Sequence, residues 1–513
     1  MLLLTVSETP PHGALGELLG AGLSCDAYHP AAPHPDGLGA LQAMQKALAG
    51  AGMQPSEIDY IHLHGTGTID NDLAEAKALN TLFGPQMPPL SSTKGATGHT
   101  MGASGAIGAA IATFSIGEGF IPANSGGDDP DQELKLQPVM NPLRKKVQRV
   151  LVNAFGFGGN NASLVIGHPE LSNRGFNLRE TRPLLIKGMA CLTGAGDAEA
   201  TTTRFFAGAP VKGMLNPEAL ATHLPQRVVR RLKRLPRLVL TLAAAACACR
   251  DDIGPPQAVF FGTGWGPLSE AYDFLMKLFE SGEQFTSPTD FIGSVHNAAA
   301  GQAALQLNAT GPNITLAGGD YSFEQALMTA SLLSHESEKP LLLIGADEHH
   351  PVLTPLFEPA AACEGLPADG GAAFLLSPGA DQGMSLSSLF FAHSHQNLQV
   401  IPSMIDRLGG EARIKDRYAA IFAGIPASTE QSGRRQLHAF LSVTGFKGPV
   451  VDYRRWTGEF ASASAVAAFL AAQCLHRDEI HEQICGQKMF SLHGRGILLL
   501  GLGEFVTAVG VMP

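Results

Sequence analysis

Three glycine-punctuated clusters hold the residues best suited to chemistry. His64-Gly65-Thr66-Gly67-Thr68 follows the apolar run Tyr60 to Leu63. A strand that ends in histidine and turns on glycines presents an imidazole and two hydroxyls at a sheet edge, where a ligand can approach the backbone. The competing reading is a histidine satisfied inside the core. The second cluster is Lys94-Gly-Ala-Thr-Gly-His99-Thr-Met-Gly-Ala-Ser-Gly. It sets a lysine and a histidine at the entry of a small-residue helix, whose N-terminus favours developing negative charge. A glycine-rich turn by itself specifies no ligand. The third is Asn153-Ala-Phe155-Gly-Phe157-Gly-Gly-Asn-Asn161. Its two rings read either as mobile gates beside a pocket or as buried rings in a tight turn.

The elements that must position these clusters alternate. Tyr60 to His64 reads as a short strand, Asp72 to Phe83 as a helix, and Ala103 to Ser115 as a closely packing helix. Val150 to Asn153 and Ala162 to Ile166 read as strands. Strands alternating with helices predict an α/β layered sheet over residues 1–168. The opening MLLLTV reads as a further strand. Residues 169–181 are polar without periodicity and read as a linker. A second unit opens at Leu184 to Ile186, passes through a basic run, RVVRRLKRLPR (227–237), and an alanine-rich helix, and reaches strands at Ala258–Phe261, Ile314–Leu316 and Pro340–Gly345. The basic run is either a surface for an acidic partner or a solvated helix face.

A repeat is visible. TGHTMGASGAIGAAIA begins at Thr97 and TGEFASASAVAAFLAA at Thr457, each followed by a late apolar strand. One half-fold therefore occurs twice, once with its polar residues intact and once eroded.

The first 168 residues resemble the β-ketoacyl-(acyl carrier protein) synthases of the thiolase superfamily. DAYHPAAPHPDGLGALQAM, HGTGTIDND, SSTKGATGHTMGASGA and NAFGFGGNNASLV occur in that family's order and spacing. They correspond to the C-terminal half of a synthase. The resemblance implies that His64 and His99 bind the malonyl thioester carbonyl and assist decarboxylation, and that Lys94 supports them. It assigns Thr66 and Thr68 to the phosphopantetheine arm of an acyl carrier protein and Phe155 and Phe157 to gating. It implies no bound cofactor and no metal. One departure stands out: a glutamate that often partners the lysine falls here at Gly108.

From about Arg182 the chain resembles the N-terminal half of the same family, in its chain-length-factor-like branch. The carrying segments include GTGWGPLSEAYDFLMKL, SPTDFIGSVHNAAAGQAALQL and GPNITLAGGDYSFEQALMTASLL. Active synthases place a nucleophilic cysteine at an elbow after this Gly-Pro strand; here that position holds Asp320, and a carboxylate cannot form the thioester. Residues 387–513 continue as a second, degenerate C-terminal half, with Glu459 standing where His99 does and Arg454 where Lys94 does. The implied fold is thiolase-like and layered, αβαβα, made from one synthase C-terminal half (1–168), a linker (169–181), a Cys-lacking N-terminal half (182–386) and the degenerate half (387–513).

Composition agrees with such a globular chain. Of 513 residues 45% are hydrophobic and 16% charged, and the net charge of −11 disfavours nucleic-acid wrapping. The seven cysteines form no CxxC pair, so neither a zinc site nor a disulfide framework is signalled, and reduced thiols in a cytoplasm fit better. No basic leader and no apolar run of about 18 residues is present, so neither a signal peptide nor a membrane span is expected.

The expected function is a component of a 3-oxoacyl-(acyl carrier protein) synthase in fatty-acid or polyketide (aryl-polyene included) biosynthesis. Its partners would be an acyl carrier protein and either a Cys-bearing ketosynthase chain or a second copy. The alternatives are a non-catalytic chain-length-factor-like scaffold and the product of a truncated gene.

Overall fold

The computed structural model describes residues 4–7, 11–126, 129–171, 182–221, 224–225, 229–230, 232–248, 254–284, 287–334, 338–359, 367–379, 383–394, 399–486 and 489–513. The chain divides into two compact units, Met1–Glu180 with Thr310–Asn313, and Thr181–Ala309 with Ile314–Pro513.

The first unit is a five-stranded sheet with helices on both faces. Its strands are β1 (Glu17–Cys25), β2 (Tyr60–His62), β3 (Leu90–Ser91), β6 (Arg149–Gly156) and β7 (Asn160–Gly167), while β4 (Phe120–Ile121) and β5 (Leu143–Arg144) form a separate ribbon. The sheet order is β1-β7-β6-β2-β3. The inner pairs β6–β2 and β2–β3 are parallel, and β1–β7 and β7–β6 antiparallel. Alternation along β2 and β6 sorts the side chains. Ile61, Leu63 and Leu151 enter the core under α1 (Leu38–Ala51) and α2 (Ile69–Phe83). Tyr60, Val150 and Val152 enter the core against α4 (Ser104–Glu118), which follows the short α3 (Lys94–Thr97). Gly22 lets α1 lie almost on the strand: a Cβ there would stand 2.0 Å from Ala43 O.

The second unit repeats this pattern twice. Its strands are β8 (Leu184–Leu192), β9 (Ala258–Gly262), β10 (Asn313–Leu316), β11 (Leu341–Asp347), β12 (Gly370–Pro378), β13 (Ser385–His393), β14 (Tyr418–Gly424), β15 (Val450–Asp452), β18 (Gly496–Gly501) and β19 (Phe505–Met512). A ribbon of β16 (Glu479–Ile480) and β17 (Phe490–Ser491) lies outside the main sheet. The sheet order is β10-β9-β11-β12-β8-β13-β19-β18-β14-β15. Counted within each half, both runs read third-second-fourth-fifth-first from the outer edge inward, and so does the first unit read from β3. One half-fold therefore occurs three times. Within the sheet the two halves of the second unit join at the short β8–β13 pairing, Leu185 with Ser385 and Leu184 with Leu386. The helices Ser322–Leu333 and Ala463–Arg477 pack against strands of both halves and form the central layer. Ala463–Arg477 is made almost wholly of buried alanine and other small or apolar residues, which is why both halves of the sheet can close on it.

Three expectations need correction or fall outside the described residues. Leu4 to Ser7 form no strand; Leu4 and Val6 are exposed, with no neighbouring strand to cover them. Most of the 169–181 linker lies outside the described residues, and its start, Pro169–Leu171, is a 3-10 turn. Of the basic run, 227, 228 and 231 are likewise outside. Lys233 pairs with Asp273, and Arg234 pairs with buried Asp369 at 2.5 Å. Those two cations are held within the unit rather than forming a freely solvated face.

Candidate active site

The first unit brings four of its candidate side chains together where β2, β3 and α4 converge. The rings of His64 and His99 stand edge to face, 5.5 Å apart between centroids. Phe155 lies 5.6 Å from His64. Lys94 donates to the carbonyl oxygen of His64, and its Nζ is also 3.4 Å from His64 Nδ1. With no glutamate at position 108, this is where the lysine finds its partners. An ammonium only donates, so His64 Nδ1 accepts and the ring proton sits on Nε2. Burial, then Lys94 and His99, push the His64 pKa down to about 3, so the ring is neutral near pH 7. Burial also lowers the Lys94 pKa, with Glu75 and Asp72 opposing.

A cavity of about 520 Å³ opens beside them, lined by Thr66, Lys94, His99, Ser92, Asn124 and Asp129 among others. Thr66 and Thr68 stand at the surface, with their hydroxyls 2.8 Å apart. Phe157 is 40% exposed on the turn Phe157–Gly159 and is not among the residues lining this cavity. Directly after His99, Thr100 (φ 43°) and Met101 (φ 49°) both adopt left-handed backbone, which costs non-glycine residues of order 1–3 kcal/mol each. Such strain is kept where a neighbouring side chain must be aimed.

Two residues of this site were not singled out from the sequence. Glu75 is buried on α2, and its carboxylate accepts from His64 N and Gly65 N at 2.9 Å each and from Asn153 Nδ2 at 3.1 Å. It ties the histidine turn to β6. A carboxylate among the alanines of DLAEAKAL, one α2 face of which must be core, was the available signal. His62 is the second, and the alternation Tyr60-His62-His64 was its signal.

The matching place in the second unit is built differently. Asp320 lies in the turn between β10 and the helix Ser322–Leu333, where a nucleophile would stand. Arg454 follows β15 as Lys94 follows β3. Its guanidinium donates to Asp320 Oδ1 at 2.5 Å and to Glu459 Oε2 at 2.8 Å. Arg454 is 4% exposed. Burial raises the thiol pKa of Cys25, Cys191, Cys247 and Cys474, which makes each a poor nucleophile. Cys249 and Cys363 lie outside the described residues.

The repeated half-fold and the site define a thiolase-like protein. Residues 15–128 match the β-ketoacyl synthase C-terminal domain, and residues 210–403 match the β-ketoacyl synthase N-terminal domain, so the two occur in reverse order. The chain belongs to the β-ketoacyl synthase family. It is 41% identical over 155 residues to the mitochondrial 3-oxoacyl-[acyl-carrier-protein] synthase of Arabidopsis thaliana, covering 29% of this chain and 34% of that protein. It is 41% identical over 152 residues to 3-oxoacyl-[acyl-carrier-protein] synthase 2 of Synechocystis sp., covering 29% and 36%. The chain thus spans about a third of the length of these curated relatives. Among solved structures it resembles a PfaC keto synthase-chain length factor, with a TM-score of 0.73 at 18% identity, over 97% of this chain and 62% of that one. A β-ketoacyl synthase from Burkholderia phymatum gives 0.52 at 13% identity, over 64% and 99%. These two likenesses show the fold. Among the described residues no helix is long and apolar enough to cross a membrane.

Proposed function

We propose that this chain is a component of a 3-oxoacyl-(acyl carrier protein) synthase that carries out decarboxylative Claisen condensation in fatty-acid or polyketide synthesis. The observation that carries this reading is the His64–His99 pair, rings edge to face, with Lys94 bonded to His64 and with Lys94 and His99 lining the adjacent cavity. Neutral His64 offers an Nε2–H donor to a malonyl thioester carbonyl, and His99 offers a second. The C–C bond to the carboxylate breaks, carbon dioxide leaves, and the electron pair becomes an enolate held by those donors. The enolate carbon then attacks an acyl thioester, and a thiolate departs. Thr66 and Thr68, at the surface beside the cavity, suit the amides of a phosphopantetheine arm on a carrier protein.

The acyl-bearing cysteine comes from another polypeptide, because Asp320 occupies the elbow position of this sequence and of any second copy of it. Exposure of Met101 and Phe114 around α4, when the corresponding helix Ala463–Arg477 is buried, favours a further half-fold packing there. The second unit acts as a non-catalytic, chain-length-factor-like partner, consistent with its closed Asp320–Arg454–Glu459 triad.

The test is mass spectrometry of malonyl-carrier and acyl-carrier proteins incubated with the purified chain, with and without a Cys-bearing ketosynthase. Decarboxylation to acetyl-carrier by the chain alone, and β-ketoacyl product only with the added partner, is expected. No decarboxylation in either case overturns the reading, and β-ketoacyl product from the chain alone overturns the missing-nucleophile argument.

A further inference from the structure

Alternation along β2 and its extension puts Tyr60, His62 and His64 on the face that meets α4. His62 is 4% exposed. Its Nε2 lies 3.1 Å from Thr93 Oγ1, and its Nδ1 is buried without a hydrogen-bond partner. An unpaired buried polar group costs about 1–3 kcal/mol, so stability alone does not explain this residue. Opposite it on α4 is Gly108. A Cβ at 108 would stand 3.1 Å from His62 Nδ1 and 3.3 Å from His62 Cε1, and also 3.1 Å from Val152 Cγ1. The imidazole therefore fills the space at the root of any side chain that 108 could carry. Glycine inside a helix costs about 1 kcal/mol against alanine, so its use here also needs a reason. Position 108 is where the family resemblance puts a glutamate that partners the lysine.

We propose that His62 and Gly108 are a coupled replacement for that glutamate: His62 positions Lys94 through Thr93, in a space that a side chain at 108 would crowd. Thr93 is the residue immediately before α3, so the His62 contact fixes the backbone from which Lys94 reaches the His64 carbonyl. Burial first, then the charge of Lys94, push the His62 pKa down to about 4, so the ring is neutral and does not repel the lysine. The charged or titratable groups around it are Lys94 after β3, His64 beyond β2 and Tyr60 on β2, whose ring meets His62 edge-on at 6.4 Å. A carboxylate at 108 would add a counter-charge for Lys94. His62 adds none, and leaves Lys94 to the more distant pull of Glu75 and Asp72. His62 is thus a positioning residue. This inference rests on the reading of His64, His99 and Lys94 as a decarboxylating half-site.

The test is a double-mutant cycle on the full chain with malonyl-carrier protein: wild type, His62→Asn, Gly108→Glu and the double variant. Carbon dioxide release is one readout, and the 15N shifts of the His64 imidazole are the second. Each single change should lower the rate by about tenfold or more and move the His64 shifts, and the double should return to within about threefold of wild type. Losses that simply add in the double overturn the proposal, and so does a His62→Asn variant that matches wild type in both readouts. A wild-type chain that releases no carbon dioxide sinks the functional reading instead, and the coupling is then decided by the His64 shifts alone. Gly108→Ala, made with and without His62→Asn, covers the case in which Gly108→Glu does not fold. Its fall in unfolding temperature should shrink in the His62→Asn background, where the common Val152 contact is unchanged; an equal fall in both overturns the coupling.

Discussion

Two places in this molecule occupy the same point of the same half-fold and have opposite characters. After β3 of the first unit, Lys94 is partly exposed and turns toward His64, whose ring meets His99 beside an open cavity. After β15 of the second, Arg454 is buried and closed between Asp320 and Glu459. The first keeps two consecutive left-handed residues after its histidine; at the second, Phe460 and Ala461 after Glu459 have ordinary backbone. The first site holds strain and unspent donors, as a site that must bind something does. The second pairs its charges internally, one guanidinium between two carboxylates, as a structural joint does. A fold this tolerant of repetition can therefore retain a half-site in one copy and convert the same position to a clasp in another, and fold alone does not say which.

The largest effect that separates them should come from the clasp. Arg454→Ala leaves Asp320 and Glu459 facing each other, and removing one partner of a buried ion pair typically costs about 3–5 kcal/mol. Both tryptophans, Trp265 and Trp456, lie in the second unit, so fluorescence-detected urea unfolding reads this loss there. Lys94→Ala should barely move that transition. A comparable loss from Lys94→Ala would erase the distinction between joint and site.

Activity should divide the other way. His64→Ala and His99→Ala should each lower malonyl decarboxylation about 10²–10³-fold, the scale of losing one donor to a developing oxyanion. Glu459→Gln, at the position matching His99, should leave the rate within about twofold of wild type once folding is matched, since it touches no reacting atom. Rates measured by carbon dioxide release, with unfolding curves alongside, check both. A Glu459→Gln variant as slow as His99→Ala would place the chemistry in the second unit.

Much of this contrast was legible in the sequence. The three-cluster site is local in the chain: HGTGT, KGATGH and NAFGFGG each carry their own turn signals. The loss of Cys, His and Lys in the later copy could be read position by position. What the sequence hid depends on long-range packing. The Asp320–Arg454–Glu459 triad joins residues 134 apart in sequence, and their types alone do not reveal that they meet. The role of Glu75 depends on α2 pointing one carboxylate beneath the turn at His64 and Gly65. Leu4 to Val6 show the converse failure, because apolar residues make a strand only where a neighbouring strand accepts them. The resemblance assigns Phe155 and Phe157 to one gate, yet β6 ends between them and Phe157 is exposed on the turn that follows.

A smaller effect tests how the open site is held. Glu75→Gln keeps the shape but supplies one acceptor oxygen and an amide in place of two oxygens that serve His64 N, Gly65 N and Asn153 Nδ2. One of these donors is then left facing another donor, at about 1–3 kcal/mol. Amide exchange at His64 and Gly65 should quicken, and decarboxylation should fall several-fold through kcat rather than KM. Unchanged exchange at those two amides would remove Glu75 from the site.

The smallest difference is a pH response of opposite sign at the two places. Beside the clasp, burial pushes Glu324 up to about 7, and Ser464 Oγ lies 3.0 Å from its Oε2. The folded carboxyl holds its proton where the unfolded one has lost it. Its contribution is complete below about pH 4.5 and is lost as pH rises through about 7, at a slope of about 1 kcal/mol per pH unit. Glu324→Gln should therefore flatten the fall in second-unit stability between pH 5 and 7, read by tryptophan fluorescence. At the open site His64 is pushed down to about 3, so the unfolded state takes up a proton first. Its contribution is present above about pH 6.5 and is lost as pH falls toward 3. His64→Gln should flatten that acid limb, read by amide exchange in β6. The pair of slopes follows from which ionisable type each copy keeps out of water: an imidazole that burial keeps neutral, and a carboxyl that burial keeps protonated up to about pH 7 against the pull of Arg454. Parallel slopes in the two variants would mean that the copies are buried alike, and the division into half-site and clasp would lose its electrostatic basis.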